Sequence, residues 1–439
     1  MKRKSYYTCR ISVDDYDVQI KKVDPQGKTL DKHSGRLRYD ILTKDQEIVE
    51  IIEKARNNLL GDSRHSRLIG EALFNVLFDP GIRDVFVKFY DDVVHQKGQF
   101  LRVELEIEEE KAPELAALPW EFMCMPPNLG EVWLSIAPNV VFSRYRWQSS
   151  PAKTIHIKNN EKLRIALVVS APNDLGEVVY EEVQKDLKRL EDEQPEKFEL
   201  LPLDHRANRK SIDSLLARKP HILHFIGHGR FEQENNQEVG QIALTEDTGN
   251  AWWINADSFS QLFSQHRPGV VILQACEGGM QSSSQAFVGV ASKVVQQNIP
   301  VVVAMQYEVS NSLARRFVRS FYEKLGQEEP VDIAVQEGRK EIDYCLKERR
   351  REFATPVLFM RVPNGHLFNW EQEQRLSEES PEPAQYYYIK PGDTLAKIAI
   401  SAYGDGNLWL KIAQANREVI PDTNWLDPGT RIFIPALDS

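Results

Sequence analysis

Residues 270–279 read Val270-Val271-Ile272-Leu273-Gln274-Ala275-Cys276-Glu277-Gly278-Gly279. Four apolar residues in succession lead towards a thiol, and glycines follow at once. A short continuous apolar run bounded by turn residues is the pattern of a strand buried on both faces, as in a parallel sheet. A lone cysteine in such a place is ordinarily a small core hydrophobe. A strand that ends on a thiol also presents a nucleophile at its carboxyl end, where open α/β sheets carry their sites.

A second stretch has the same form. His221-Ile222-Leu223-His224-Phe225-Ile226-Gly227-His228-Gly229 is an apolar strand that ends on a histidine between glycines, and His228 precedes Cys276 by 48 residues. A thiol is mostly protonated near neutral pH. A neighbouring imidazole takes its proton, holds the thiolate and later protonates the leaving amine. Acyl transfer also needs donors for the developing oxyanion. The backbone N–H groups of Gly229 and Cys276, each just beyond a strand, suit that role. His221 and His224 are three apart on one strand, so they point to opposite faces. With no cysteine pair or acid cluster beside them, they read as a strand-start residue and a core residue, and neither a metal nor another cofactor is expected. Cys9, Cys124 and Cys345 have no histidine-bearing loop to pair with and read as bystanders.

The beat of these two strands runs through the surrounding chain. Apolar strands are expected in LRIALVVSAP from Leu163, FELLPL, IPVVVAMQ and ATPVLFMR, the last ending near Arg361. Helices are expected from Glu177 to about Leu190 and in SIDSLLAR, QAFVGVASKVVQQ and NSLARRFVRSFYEKL. The fold class is therefore α/β, a mostly parallel sheet flanked by helices. Ahead of it lies an α+β region with one alternating strand from Tyr6 and a turn at Asp24-Pro25-Gln26-Gly27. Helices over Lys44–Leu60 and Leu68–Phe78 and a strand over Phe100–Ile107 follow. The expected divisions are 1–150, 151–370, a charged linker over 371–385 containing Pro381 and Pro383, and a small unit over 386–439.

Bulk properties narrow the partners. A chain of 439 residues implies two or three domains. Its apolar content of 41% and charged content of 27% are those of a soluble globular protein. A net charge of -10 gives no support for a nucleic-acid partner. Four scattered cysteines fit a reducing compartment. The opening MKRKSYYTCRIS has no apolar stretch behind its basic residues, so no secretory signal is expected. No apolar run is long enough to span a bilayer. A cytoplasmic location without membrane association is the expectation.

Gln274-Ala275-Cys276-Glu277-Gly278 matches the caspase pattern Q-A-C-[RQG]-G, with a histidine about 50 residues upstream, except at Glu277. Leu118-Pro119-Trp120-Glu121-Phe122, Ala304-Met305-Gln306-Tyr307-Glu308-Val309-Ser310, RRFVRSFYEKL and VDIAVQEGR add to it. Over roughly residues 1–370 the chain resembles the CHAT peptidases, a bacterial branch of the caspase-like and separase-like clan. The resemblance implies a caspase-like fold and a cysteine endopeptidase that cuts specific proteins with Cys276 and His228 and is kept off until a partner or a cleavage orders the site. It also suggests a role in bacterial stress, antiviral defence or regulated death. Related enzymes carry an acid after the strand that follows the nucleophile, where it faces a basic P1 side chain; Glu308 is the candidate. Where the family tends to have Asp, this chain has Asn311. Glu277 puts a negative charge where caspases often have Arg, so a preference for Asp at P1 is not expected.

The unit from Tyr386 has βααβ order, with Gly392-Asp393-Thr394-Leu395, Ile412, Asn416, Leu426 and Pro428-Gly429-Thr430, and resembles a LysM domain. LysM modules commonly bind N-acetylglucosamine polymers. Without an export signal, docking to a protein partner is preferred here. The rival readings are a non-catalytic interaction scaffold and a LysM-led protein that binds glycan or peptidoglycan.

Overall fold

The computed structural model describes residues 6–56, 59–146, 152–204, 207–234, 237–275, 283–297, 299–307, 310–346, 352–371, 385–421 and 426–435. The alternating segment at the start turns back sooner than its pattern suggests. Asp15 adopts a left-handed φ of 55°, so the one expected strand is two, β1 (Tyr6–Asp14) and β2 (Asp17–Val23). β3 (Thr29–Arg36) follows the turn at Asp24–Gly27. Four helices come next: α1 (Asp40–Lys44), α2 (Gln46–Arg56), α3 (Ser63–Leu77) and α4 (Pro80–Tyr90). α4 was not expected. It begins at Pro80, with the Asp79 carboxylate accepting from the Gly81 and Ile82 amides, an N-cap that suits proline at the first helical position.

The chain continues through β4 (Phe100–Ile107), α5 (Pro113–Ala116), β5 (Val140–Tyr145), β6 (Ile155–Ile157) and β7 (Leu163–Val169). Then come α6 (Glu181–Glu193), β8 (Phe198–Asp204), α7 (Arg209–Ala217) and β9 (Ile222–Gly227). A meander of β10 (Gly229–Glu234), β11 (Gln237–Thr245) and β12 (Ala251–Asn255) precedes α8 (Ala256–Gln261). β13 (Val270–Ala275), α9 (Ser283–Gln296), β14 (Val301–Met305), α10 (Asn311–Gly326), α11 (Val331–Tyr344), β15 (Pro356–Met360) and β16 (Phe368–Trp370) complete the first unit, which ends at Glu371.

Eleven strands form one sheet in the order β3-β2-β1-β4-β5-β15-β14-β13-β9-β7-β8. β7, β8, β9, β13 and β14 run parallel. β15 pairs antiparallel with β14, and β5, β4 and β1 follow its direction. The amino-terminal region thus extends the sheet edge to edge instead of lying on its face. Alternation along the central strands divides the core. Ile222, Ile226, Val270 and Ile272 face Leu187 and Leu190 of α6 and Phe317 and Phe321 of α10. Leu223, Phe225, Val271 and Leu273 face α7, α8 and α9 through Leu216, Phe259, Phe287 and Val294. Each such aliphatic side chain taken out of water contributes about 1.5–3 kcal/mol, which is why these strands read as unbroken apolar runs.

β4 is different. Its alternation suggests a wet face, yet Arg102 and Glu104 are 2% and 1% exposed. Each is neutralised by a distant partner. Arg102 donates to Asp332 of α11 at 2.5 Å and lies 3.9 Å from the Tyr6 ring centroid. Glu104 accepts from Arg10 of β1 at 2.7 Å. No helix among the described residues is long and apolar enough to cross a membrane.

The second unit, Gln372–Ser439, contains β17 (Gln385–Tyr388), α12 (Leu395–Tyr403), α13 (Trp409–Ala415) and β18 (Arg431–Ile434), the expected βααβ order. Its signature residues hold it together. Thr394 caps α12 by accepting from the Lys397 amide. The buried Asn416 side chain donates to the Ile412 and Phe433 carbonyls and accepts from the Phe433 amide, at 2.7, 2.6 and 2.6 Å. Gly392 and Gly429 occupy left-handed turns, with φ of +83° and +90°.

Two outcomes follow from the buried polar groups. Replacing Asp332 by Ala strands the Arg102 charge, so urea denaturation should show a loss of about 3–5 kcal/mol. The double variant Arg102→Met, Asp332→Leu should recover most of it, because an apolar pair leaves no unpaired charge. Burial also lowers His221 and His224 from the ordinary 6.5 to about 4 each. Between these values the unfolded chain takes up protons that the folded chain refuses. Stability is therefore full above about pH 6.5 and falls as the pH drops towards 4. The decrease in urea midpoint from pH 7.5 to 5.5 should be smaller in His224→Gln than in wild type.

Candidate active site

β9 and β13 are adjacent and parallel, in a register that puts Ile222 opposite Val270 and Gly227 opposite Ala275. In sequence, His228 follows the end of one strand and Cys276 follows the end of the other. Cys276, Glu277 and Glu308 lie outside the described residues. Gly227 has a use beyond turning. A Cβ there would meet the Phe225 ring at 2.9 Å and the Ser170 carbonyl at 3.2 Å. Glycine therefore lets this strand end close against the residue that follows β7. Directly after it, the Ala243 amide donates to the His228 carbonyl at 2.9 Å. Gly229 pairs with Ile242 one step along, so by antiparallel alternation its N–H points away from β11. That direction suits an oxyanion donor.

His228 is 5% exposed, and its Nε2 lies 2.8 Å from the Gly176 carbonyl. A carbonyl only accepts, so Nε2 carries the hydrogen and Nδ1 is left with the lone pair of a base. The loop that supplies Gly176 is tied down by two bonds to the β11–β12 turn. Asn173 donates to the Gly249 carbonyl at 2.9 Å, and the Asp174 carboxylate accepts from the Ala251 amide at 2.8 Å. No side chain in the sequence stands out as a third member of the dyad. The group that orients His228 is a main-chain carbonyl, which has no side-chain signature.

His224 points into the core, 3.2 Å from the Tyr322 hydroxyl and 3.1 Å from the Gln274 side-chain oxygen. His221 instead accepts at Nδ1 from the Arg164 amide at 3.0 Å. The three histidines of this strand thus have three separate environments. Cys9 and Cys124 are buried free thiols, and burial pushes Cys9 up to about 12, so it is inert near neutral pH.

The Leu118–Phe122 segment has a structural explanation. Glu121 is fully buried and accepts from Arg144 of β5 at 3.0 and 2.6 Å and from Gln306 at 3.1 Å. Arg144 also donates to the Ala116 and Leu118 carbonyls, at 2.8 and 3.0 Å. The motif therefore latches the amino-terminal region onto the carboxyl end of β14, where Gln306 and Tyr307 precede Glu308. Beside this latch lies a cleft of about 800 Å³, lined in part by Phe231, Gly240, Gln306, Tyr307 and Phe359.

The family model for the CHAT domain matches residues 67–376, and that for the LysM domain matches residues 387–435. Among curated proteins, the chain is similar to the Escherichia coli O6:H1 potassium binding protein Kbp, at 38% identity over 52 residues, 12% of this chain and 35% of that protein. It is also similar to the uncharacterized Bacillus subtilis protein YqbP, at 28% identity over 115 residues, 24% of this chain and 48% of that protein. The chain thus spans about a third to a half of the length of these relatives. Among solved structures, the Saccharomyces cerevisiae separase–securin complex aligns with a TM-score of 0.44 at 10% identity, covering 84% of this chain and 30% of that chain. The Arg-specific cysteine proteinase gingipain R aligns with a TM-score of 0.39 at 12% identity, covering 73% of this chain and 74% of that chain. The CHAT match covers well over half of the residues, including both strands that lead to the candidate dyad, and this chain belongs to the CHAT-domain family, whose domain is of the caspase-like protease type.

Proposed function

We propose that this chain is a caspase-like cysteine endopeptidase. The observation that carries the reading is the pairing of Gly227 with Ala275 on adjacent parallel strands, because it brings to one level the ends of the two strands that His228 and Cys276 follow in sequence. His228 Nδ1 takes the Cys276 proton, and the thiolate attacks the scissile carbonyl. The Gly229 and Cys276 amides stabilise the oxyanion. The imidazolium then protonates the departing amine, leaving an acyl-enzyme that water hydrolyses as His228 again acts as base. The Gly176 carbonyl, 2.8 Å from Nε2, holds the imidazole in the required tautomer.

The substrate is a protein with a basic residue at P1. Glu277 and Glu308 are the residues proposed to bind it. The neighbouring cleft supports a cationic segment, since Glu109, Glu110, Glu114 and Glu238 face it against Lys293 among its described lining residues, with Glu109 also paired to Arg146 at 3.5 Å. The free thiols Cys9, Cys124 and Cys345 fit a reducing, cytoplasmic setting. The LysM unit acts as a docking module for a protein partner that also regulates cleavage.

A panel of fluorogenic peptides with Arg, Lys, Asp or aliphatic P1 residues tests the reading. Wild type should turn over Arg and Lys peptides, Cys276→Ala should fall to background, and His228→Ala should lose about two to four orders of magnitude. Cleavage of Asp peptides alone would overturn the P1 assignment; equal rates in all three proteins would overturn the dyad. Chitooligosaccharide titrated into the full chain should not bind, and saturable binding would favour the glycan reading of the LysM unit.

A further inference from the structure

His224, Gln274 and Tyr322 take no part in the chemistry above, yet they form a continuous polar chain directly beneath it. They are 0%, 2% and 0% exposed. His224 lies four residues before His228, and Gln274 lies two before Cys276. An amide oxygen only accepts, so His224 Nε2–H donates to Gln274 at 3.1 Å. The neutral ring then accepts at Nδ1 from the Tyr322 hydroxyl of α10 at 3.2 Å. Burial lowers the histidine to about 4 and raises the tyrosine, so both stay uncharged at neutral pH.

An apolar trio would fill this interior without any cost of desolvation. What the polar trio adds is direction. His224 sits opposite Ile272, whereas Gln274 sits opposite Ile226. The side-chain bond therefore runs diagonally across the two strands and opposes sliding of one along the other. Main-chain pairing sets the register in whole steps; a diagonal tie fixes the residual height difference, and Tyr322 anchors it to a helix. We propose that Tyr322, His224 and Gln274 are positioning residues that fix the relative height of the two strand ends carrying His228 and Cys276. The proposal rests on the dyad reading above.

The test is the rate of Cys276 alkylation by iodoacetamide at pH 7, read by mass spectrometry of the peptide that contains it. Wild type, Gln274→Leu, His228→Ala and the double variant are compared, with circular dichroism to confirm folding. His228→Ala should slow alkylation by removing the base, and Gln274→Leu should slow it about tenfold by misplacing the base. The double variant should react no more slowly than His228→Ala alone, because the positioning trio acts only through the dyad. A wild-type rate in Gln274→Leu, or a slowing repeated in full without His228, would overturn the positioning role and leave the dyad standing. No effect of His228→Ala would overturn both. Should Gln274→Leu fail to fold, Tyr322→Phe, which removes one oxygen, gives the same readout with a smaller loss.

Discussion

The parallel pairing of β9 with β13 is the constraint from which the site follows. Two strands that pair parallel and end at the same level must release their chains at neighbouring points on one edge of the sheet. The pairing of Gly227 with Ala275 makes that level the same to within one residue. The parts that the proposed nucleophilic attack would use are then close together in the chain's fold or sequence. The His228 imidazole is held by a loop carbonyl, and the Gly229 amide is turned away from the hairpin. The residue following Ala275 is a thiol. Helices on both faces keep the strands dry, so their main-chain bonds resist competition from water.

The same sheet explains why an amino-terminal region belongs to this site. Its strands continue the sheet beyond the antiparallel β14–β15 junction, and its charges are buried in pairs that cross long stretches of sequence. Arg102 meets Asp332, and Glu121 joins Arg144 to Gln306. Such pairs contribute little net stability over apolar packing, but they tolerate few alternative arrangements. The Glu121–Arg144–Gln306 group in particular fixes the wall of the cleft next to the end of β14. The Leu118–Phe122 signature is therefore an architectural element of the site, although none of its side chains takes part in the chemistry proposed for the dyad.

Much of this was legible in the sequence, for an identifiable reason. Strands buried on both faces have to be continuously apolar, so VVILQA and ILHFIG announce themselves, and a cysteine and a histidine at their ends stand out. What stayed hidden follows other rules. The direction of β15 is not encoded in its composition. The β10–β12 meander was not expected, because β10 and β12 are short and mostly exposed or half-buried and so lack a continuous apolar run. The Asp15 turn lacks glycine and proline. Arg102 and Glu104 look like solvent-facing residues until their partners, distant in sequence, are brought in by the fold. Gly176 contributes only a carbonyl. The placements of Cys276, Glu277 and Glu308 themselves lie outside the described residues, so their roles rest on the strand register and on chemistry.

The most direct test of the endopeptidase account uses protein substrates. Wild type and Cys276→Ala are incubated separately with the soluble proteome of the source cell, and newly formed protein amino termini are identified by mass spectrometry. The account predicts a small set of termini present only with wild type, each preceded by a basic residue. Identical termini in the two samples would contradict it.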